Sequence, residues 1–276
     1  MTSGPSTESK RVRALRREIT GQIPRFPNDR ASLRAIEGLP LTDLLIAYFG
    51  WKLRYVAARP RRVLHQTLLA LDPRSGPLTS NLAAFFKKVE EGEDLTPYLS
   101  LQPHTRGFTP PATSGDNWAD KDFLLNVMGL HHFHLGLSVE AAGHAARTNE
   151  VLFASVTRDT FDVVGLFDHS AFENDDPSVM PPEREALWNA FTERQNASAL
   201  PGQLVMGGLG GLGITGYGQP IAVTMAAIRL VKLIREIDPT LDDKAHVAGL
   251  YGNALPAKPK LRWHFRHLDF GVFDEA

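Results

Sequence analysis

Gly129-LHHFHL-Gly136, VLFASV at 151–156 and FDVVGLF at 161–167 decide how this chain folds. Each is a short apolar run between turn formers, which is the mark of a β-strand. The first is framed by two glycines, the second by Asn149 and Arg158-Asp159, and the third follows a short turn, so the last two read as a hairpin. Successive side chains of a strand alternate between faces. His132 and His134 therefore share a face with Leu130, and His131 shares the other with Phe133 and Leu135. His169 emerges where the hairpin ends, in DHSAF, and Arg147 stands just before VLFASV.

Working outward, LPLTDLLIAYFGWKLRYVAARP places Leu41, Leu44, Leu45, Tyr48 and Leu53 near one helical face, with Thr42 as its N-cap and Pro60 as its stop. Leu82, Phe85, Phe86 and Val89 predict a second helix over Thr79–Glu91, and Glu183–Gln195 reads as another. Residues 92–118 are rich in Gly and Pro and mark a boundary. The expected organisation is a disordered tail over 1–9, a basic helical region over 10–110, and an α+β region over 118–276. That region holds the histidine-bearing sheet and a glycine-rich loop at 207–218. Near the end, Leu261, Trp263 and Phe265 alternate with Arg262, His264 and Arg266 as in an edge strand. The fold class is α+β, a helical N-terminal part packed on a small antiparallel sheet, with further helices towards the C-terminus.

Composition narrows the class of protein. Hydrophobic residues make up 43% and charged residues 22%, as in a globular chain. The most apolar window, Ile221–Ile237, carries Arg229, Lys232 and Arg235, so no membrane span is expected. The basic N-terminal stretch lacks the apolar segment of a secretory signal. The absence of cysteine excludes disulfides, thiolate ligands and a Cys nucleophile, and it fits a cytoplasmic location.

The net charge of −1 conceals an asymmetry: residues 1–62 hold 13 Lys+Arg against 5 Asp+Glu, whereas the rest holds 17 against 26. A basic segment of this kind suits contacts with nucleic-acid phosphates. Arg54, Arg59, Arg61 and Arg62, beside Trp51 and Tyr55, are candidate contacts, and Arg262, His264 and Arg266 form a second set. Arginines that cap helices or pair with the acidic remainder are an equally ordinary outcome.

Several histidines with an arginine are what metal-independent RNA cleavage needs. One neutral imidazole takes the proton of a ribose 2′-hydroxyl, a protonated one supplies the departing 5′-oxygen, and the guanidinium stabilises the extra charge on the phosphate. His132 and His134 are the candidate base and acid, and Arg147 and His169 the candidate phosphate ligands, with no cofactor. A lone histidine such as His131 or His169 is more often simply a hydrogen-bonded sheet residue. The order of elements, an arginine leading into VLFASV and a strand ending in a histidine followed by phenylalanine, resembles the C-terminal sheet of RelE- and HigB-type ribonuclease toxins over residues 129–172. That resemblance implies RNA as substrate and a neutralising antitoxin protein as partner. In those toxins the first strand carries arginines and basic residues follow the terminal His-x-x-Phe, whereas here Glu173-Asn174-Asp175-Asp176 follows.

Two other readings use the same residues. His132 and His134, with His169, form a His-x-His set suited to Zn or Fe, and HFHLGLSVE is similar to the first cupin motif with Glu140 one position late. A non-catalytic nucleic-acid-binding module built on the basic segment is the other. Gly208 to Gly213 spells G-x-G-x-x-G, but the helical pattern resumes only at Ile221, so it reads as a loop able to hold an RNA phosphate rather than a dinucleotide site.

Overall fold

The computed structural model describes residues 8–111, 122–173, 179–197, 213–252 and 256–275. Its helices are α1 (Lys10–Gln22), α2 (Arg30–Glu37), α3 (Leu41–Lys52), α4 (Thr79–Glu91), α5 (Gln102–Thr105), α6 (Phe123–Met128), α7 (Pro182–Ala197), α8 (Ile221–Ile237) and α9 (Lys244–Tyr251). Its strands are β1 (Arg62–Leu64), β2 (Leu130–His134), β3 (Glu150–Val156), β4 (Thr160–Asp168), β5 (Leu261–Arg266) and β6 (Asp269–Asp274). The class is α+β. Among the described residues no helix is long and apolar enough to cross a membrane.

Two compact units are assembled from interleaved stretches: Met1–Lys52, His104–Asp120 and Val223–Ala276 form one, and Leu53–Pro103 with Lys121–Ala222 the other. In the first, Ser9 caps α1 by accepting from Val12 N, while residues 1–7 lie outside the described set. Leu15 and Ile19 of α1 are fully buried, and Tyr48 of α3 packs its ring 4.8 Å from Phe265 of β5. The C-terminal strand expected from alternation is there, but it is half of a β5–β6 hairpin that turns at His267. Arg11 donates to Asp238 (2.9 Å) and Asp242 (2.8 Å), and Trp263 Nε1 donates to the same Asp238 carboxylate (2.8 Å).

The second unit is built on a four-stranded sheet in the order β1-β4-β3-β2. It is mixed rather than antiparallel, because β1 lies parallel to β4 from Arg62↔Thr160 to Leu64↔Asp162. Three residues inside an arginine- and proline-rich stretch carry too little periodicity to announce a strand. α3 ends at Lys52, before Pro60, with Thr42 inside its first turn. Beyond it Val56 joins the second unit's core, and Arg61 donates to the carbonyls of Ala57 and Arg59, bonds that a continuing helix would not leave open.

Both faces of this sheet are covered. Phe133, Leu152, Phe161, Val163 and Leu166 pack on one side with Phe85 of α4; Leu130, Val151, Phe153, Val164 and Phe167 pack on the other with Leu124 of α6 and Leu187 of α7. Between β3 and β4 the register breaks: Phe153 pairs with Gly165 but Ala154 pairs with Val163, so Val164 is an extra residue, a β-bulge. The bulge inverts the parity of β4, which is why Val164 and Phe167, three positions apart, lie on the same face. A Cβ on Gly165 would lie 2.9 Å from the buried Phe167 ring. Gly165→Ala is therefore expected to lower the unfolding free energy in urea by about 2 kcal/mol, the cost of overpacking; an unchanged midpoint and slope would show that the ring moves freely.

Candidate functional site

β2 carries the histidines as its pleat dictates. His131 lies on the α4 side, its ring 6.2 Å from Phe133, and its Nε2 is 2.8 Å from the carbonyl of Leu53. A carbonyl only accepts, so Nε2 holds the proton and Nδ1 is the bare nitrogen, buried with no hydrogen-bond partner. Burial pushes the pKa of His131 down to about 4. It is a structural residue that ties the segment after α3 to the sheet.

His132 and His134 project from the opposite face. The His132 ring lies 4.7 Å from Phe172 and 5.9 Å from Phe153, and its Nδ1 is 3.9 Å from Asp122 Oδ2. Asp122 caps α6 with its other oxygen, accepting from Leu125 N at 3.1 Å. His134 meets His132 edge-on at 6.4 Å and stacks on His169 at 5.6 Å with an interplanar angle of 24°. His169 is exposed, and its Nδ1 donates to the Asn149 carbonyl at 2.8 Å, which makes Nε2 the nitrogen with the lone pair in the neutral ring.

Two local devices fix the ends of this arrangement. His169 opens a single 3-10 turn (His169–Phe172) capped by Asp168, whose carboxylate accepts from Ser170 N at 2.8 Å. Asp168 N donates to Glu183 (3.2 Å), and Glu183 is clamped by Arg74, which also grips Asp72. At the other end, Gly136 lies so close to the chain at Ala146 that a Cβ there would sit 2.1 Å from the Ala146 carbonyl oxygen. Only glycine permits this approach, which brings the neighbouring Arg147 within electrostatic reach of His134.

The surroundings disfavour charge on the two imidazoles. Desolvation lowers the pKa of His132, with Asp122 opposing the effect and His169 and the buried Arg54 reinforcing it. Desolvation, aided by His132, Arg147 and His169, brings His134 down to about 4. Both rings are neutral at neutral pH.

The structure thus gathers His132, His134, His169 and Arg147, the four residues singled out by sequence. Among the described residues no three His, Asp or Glu side chains are placed to hold a metal. A metal needs lone pairs converging at about 2.0–2.1 Å, whereas His134 and His169 lie face to face, and Glu140 stands in an exposed turn closed by its N–H to His144 O.

The candidate nucleic-acid contacts meet different fates within the two units. Arg61 is buried and spends its guanidinium on the carbonyls of Thr157, Ala57 and Arg59, and Arg54 is only 4% exposed, so neither offers a surface charge. Arg59 is half-buried and Arg62 is exposed. Arg262 pairs with Glu275 (2.8 Å) and His264 with Glu18 (2.7 Å), while Arg266 lies over the Phe273 ring. Residues 207–212 of the glycine-rich loop lie outside the described set; its end, from Gly213, closes through an Ile214–Pro220 bridge, and α8 starts at Ile221.

Sequence reading missed Asp122 and the Arg74–Glu183 clamp, and it had Phe172 only as the end of the toxin-like His-x-x-Phe, not as the ring packed on His132. Asp122 had a legible sign, an Asp directly before the apolar run FLLNVM, but its second role towards His132 arises only when α6 folds onto β2.

A pH dependence of stability follows. Unfolded imidazoles titrate near 6.5, whereas folded His131 and His134 hold off a proton down to about 4. Between those values the unfolded chain binds more protons, so this stability is complete above pH 6.5 and is lost as pH falls towards 4. For fully buried His131 the loss is about 1.4 kcal/mol per pH unit. The melting temperature should drop between pH 7 and pH 5, and His131→Gln, which keeps a donor for Leu53 O, should flatten the slope; a melting temperature independent of pH over this interval would contradict the assignment. No protein family, no curated protein and no solved structure matches the chain.

Proposed function

We propose that the protein is a metal-independent endoribonuclease of toxin or abortive-infection type, with His134 and His169 as its acid–base pair. The observation that carries this reading is the stacking of the two rings at 5.6 Å, one buried and neutral and the other exposed, with Arg147 in electrostatic reach. The neutral His134 imidazole accepts the proton of the ribose 2′-hydroxyl. The 2′-oxygen attacks phosphorus, the bond from phosphorus to the 5′-oxygen breaks, and His169 Nε2 delivers a proton to that oxygen. The products are a 2′,3′-cyclic phosphate and a 5′-hydroxyl; His134 then releases its proton to water and exposed His169 takes one up, so that both are restored. Arg147 bears on the phosphate as its charge grows.

His132 takes a supporting place. It packs between Phe153 and Phe172 and faces Asp122, and it holds His134 from the edge. The resemblance of residues 129–172 to RelE- and HigB-type toxins supports RNA as the substrate class and an antitoxin as the neutralising partner.

The test is cleavage of a chimeric oligonucleotide with a single ribonucleotide in EDTA-treated protein. Wild type should yield the cyclic phosphate end, His134→Ala and His169→Gln should each lose at least a hundredfold in kcat/KM, and His132→Gln should retain more activity than either. Undiminished cleavage by His134→Ala would overturn the proposal. Because free His134 is deprotonated above about 4, kcat/KM should not fall through an acidic limb between pH 7 and pH 5; a limb near 6.5 would contradict the role of base.

A further inference from the structure

Next to the histidine cluster stands an aromatic ring that the core does not use. Phe123, the first residue of α6, is 44% exposed although its neighbours Leu124 and Leu125 are buried. It follows directly on Asp122, whose carboxylate is 3.9 Å from His132. The Arg184 guanidinium lies 5.3 Å over the Phe123 ring, and its Nη1 donates to the Glu173 carbonyl at 2.8 Å. Glu173 follows Phe172, the ring that packs on His132 and lies 6.1 Å from His169. An exposed aromatic ring backed on one face by the buried Arg184 guanidinium, and joined to the acid–base residues through Asp122 on one side and Phe172–Glu173 on the other, is an arrangement that stacks a base on its open face.

We infer that Phe123 and Arg184 form a base-stacking subsite that selects single-stranded RNA, seating the nucleobase beside the phosphate at the histidines. This rests on the ribonuclease reading and adds its substrate form. A base inside a duplex is already stacked on its neighbours and leaves no face for Phe123, so the subsite discriminates between strands that are open and strands that are paired.

A probe that cannot be cleaved separates this inference from the catalytic one: a fluorescein-labelled eight-nucleotide 2′-O-methyl RNA, followed by anisotropy in EDTA with the full-length protein. Phe123→Ala should weaken binding of the single strand about tenfold, Phe123→Trp should restore it, and the matching duplex should bind more weakly and be indifferent to both changes. If Phe123→Ala binds as wild type, if Phe123→Trp fails to restore binding, or if wild type binds no single strand, the subsite is overturned, whether or not the protein cleaves RNA. If Phe123→Ala loses binding that Phe123→Trp restores while wild type shows no turnover on a cleavable strand, the subsite stands and the acid–base proposal falls.

Discussion

One extra residue in β4 decides which side chains can meet. Without the bulge at Val164, Phe167 and His169 would continue on the α4 side of the sheet; with it they pass to the α7 side, where His132 and His134 already project from β2. Packing enforces the shift, because Phe167 fills the layer under α7 and Leu166 the layer under α4, and neither can change places without opening a cavity on one face and a clash on the other. The clamp of Arg74 and Glu183 then fixes the turn that starts at His169. The meeting of His134 and His169 is thus a consequence of core packing.

Electrostatics gives that meeting its chemical character. Burial, aided by the neighbouring cationic groups, makes the imidazoles neutral, and a neutral ring held near a pKa of 4 is a weak base. On the proposal above, a substrate phosphate bound beside the ring would change the balance. A negative charge about 6 Å from the ring, at an effective dielectric of about 20, is worth about 3 kcal/mol, or roughly two pH units, enough to lift His134 into the working range of a general base. The free site resists protonation, and on the ribonuclease proposal the substrate phosphate would supply the charge that makes proton transfer favourable.

Much of the site was legible in the sequence because it depends on a period of two. Alternation alone set His132 and His134 on one face and His131 on the other, and the VLFASV–FDVVGLF hairpin followed from its turn residues. The bulge was not legible: Gly165 hints at it, but the register shift is a relation between two strands. Nor was the fate of the basic segment. Arg61 and Arg54 look like surface charges in a row of arginines, yet the first is consumed by backbone carbonyls and the second is buried, and β1 hides in the same stretch. Which charges are spent inside a fold depends on long-range pairing such as Arg11 with Asp238, 227 positions apart, which no local pattern encodes.

The measurement closest to the central claim is an NMR titration of the imidazole nitrogens of His134, without ligand and with inorganic phosphate. The account predicts a ring that stays neutral below pH 5 in the free protein and titrates at higher pH once phosphate is bound, with His169→Gln leaving the free value low. A His134 that titrates near 6.5 in the free protein, or whose titration ignores phosphate, would contradict it.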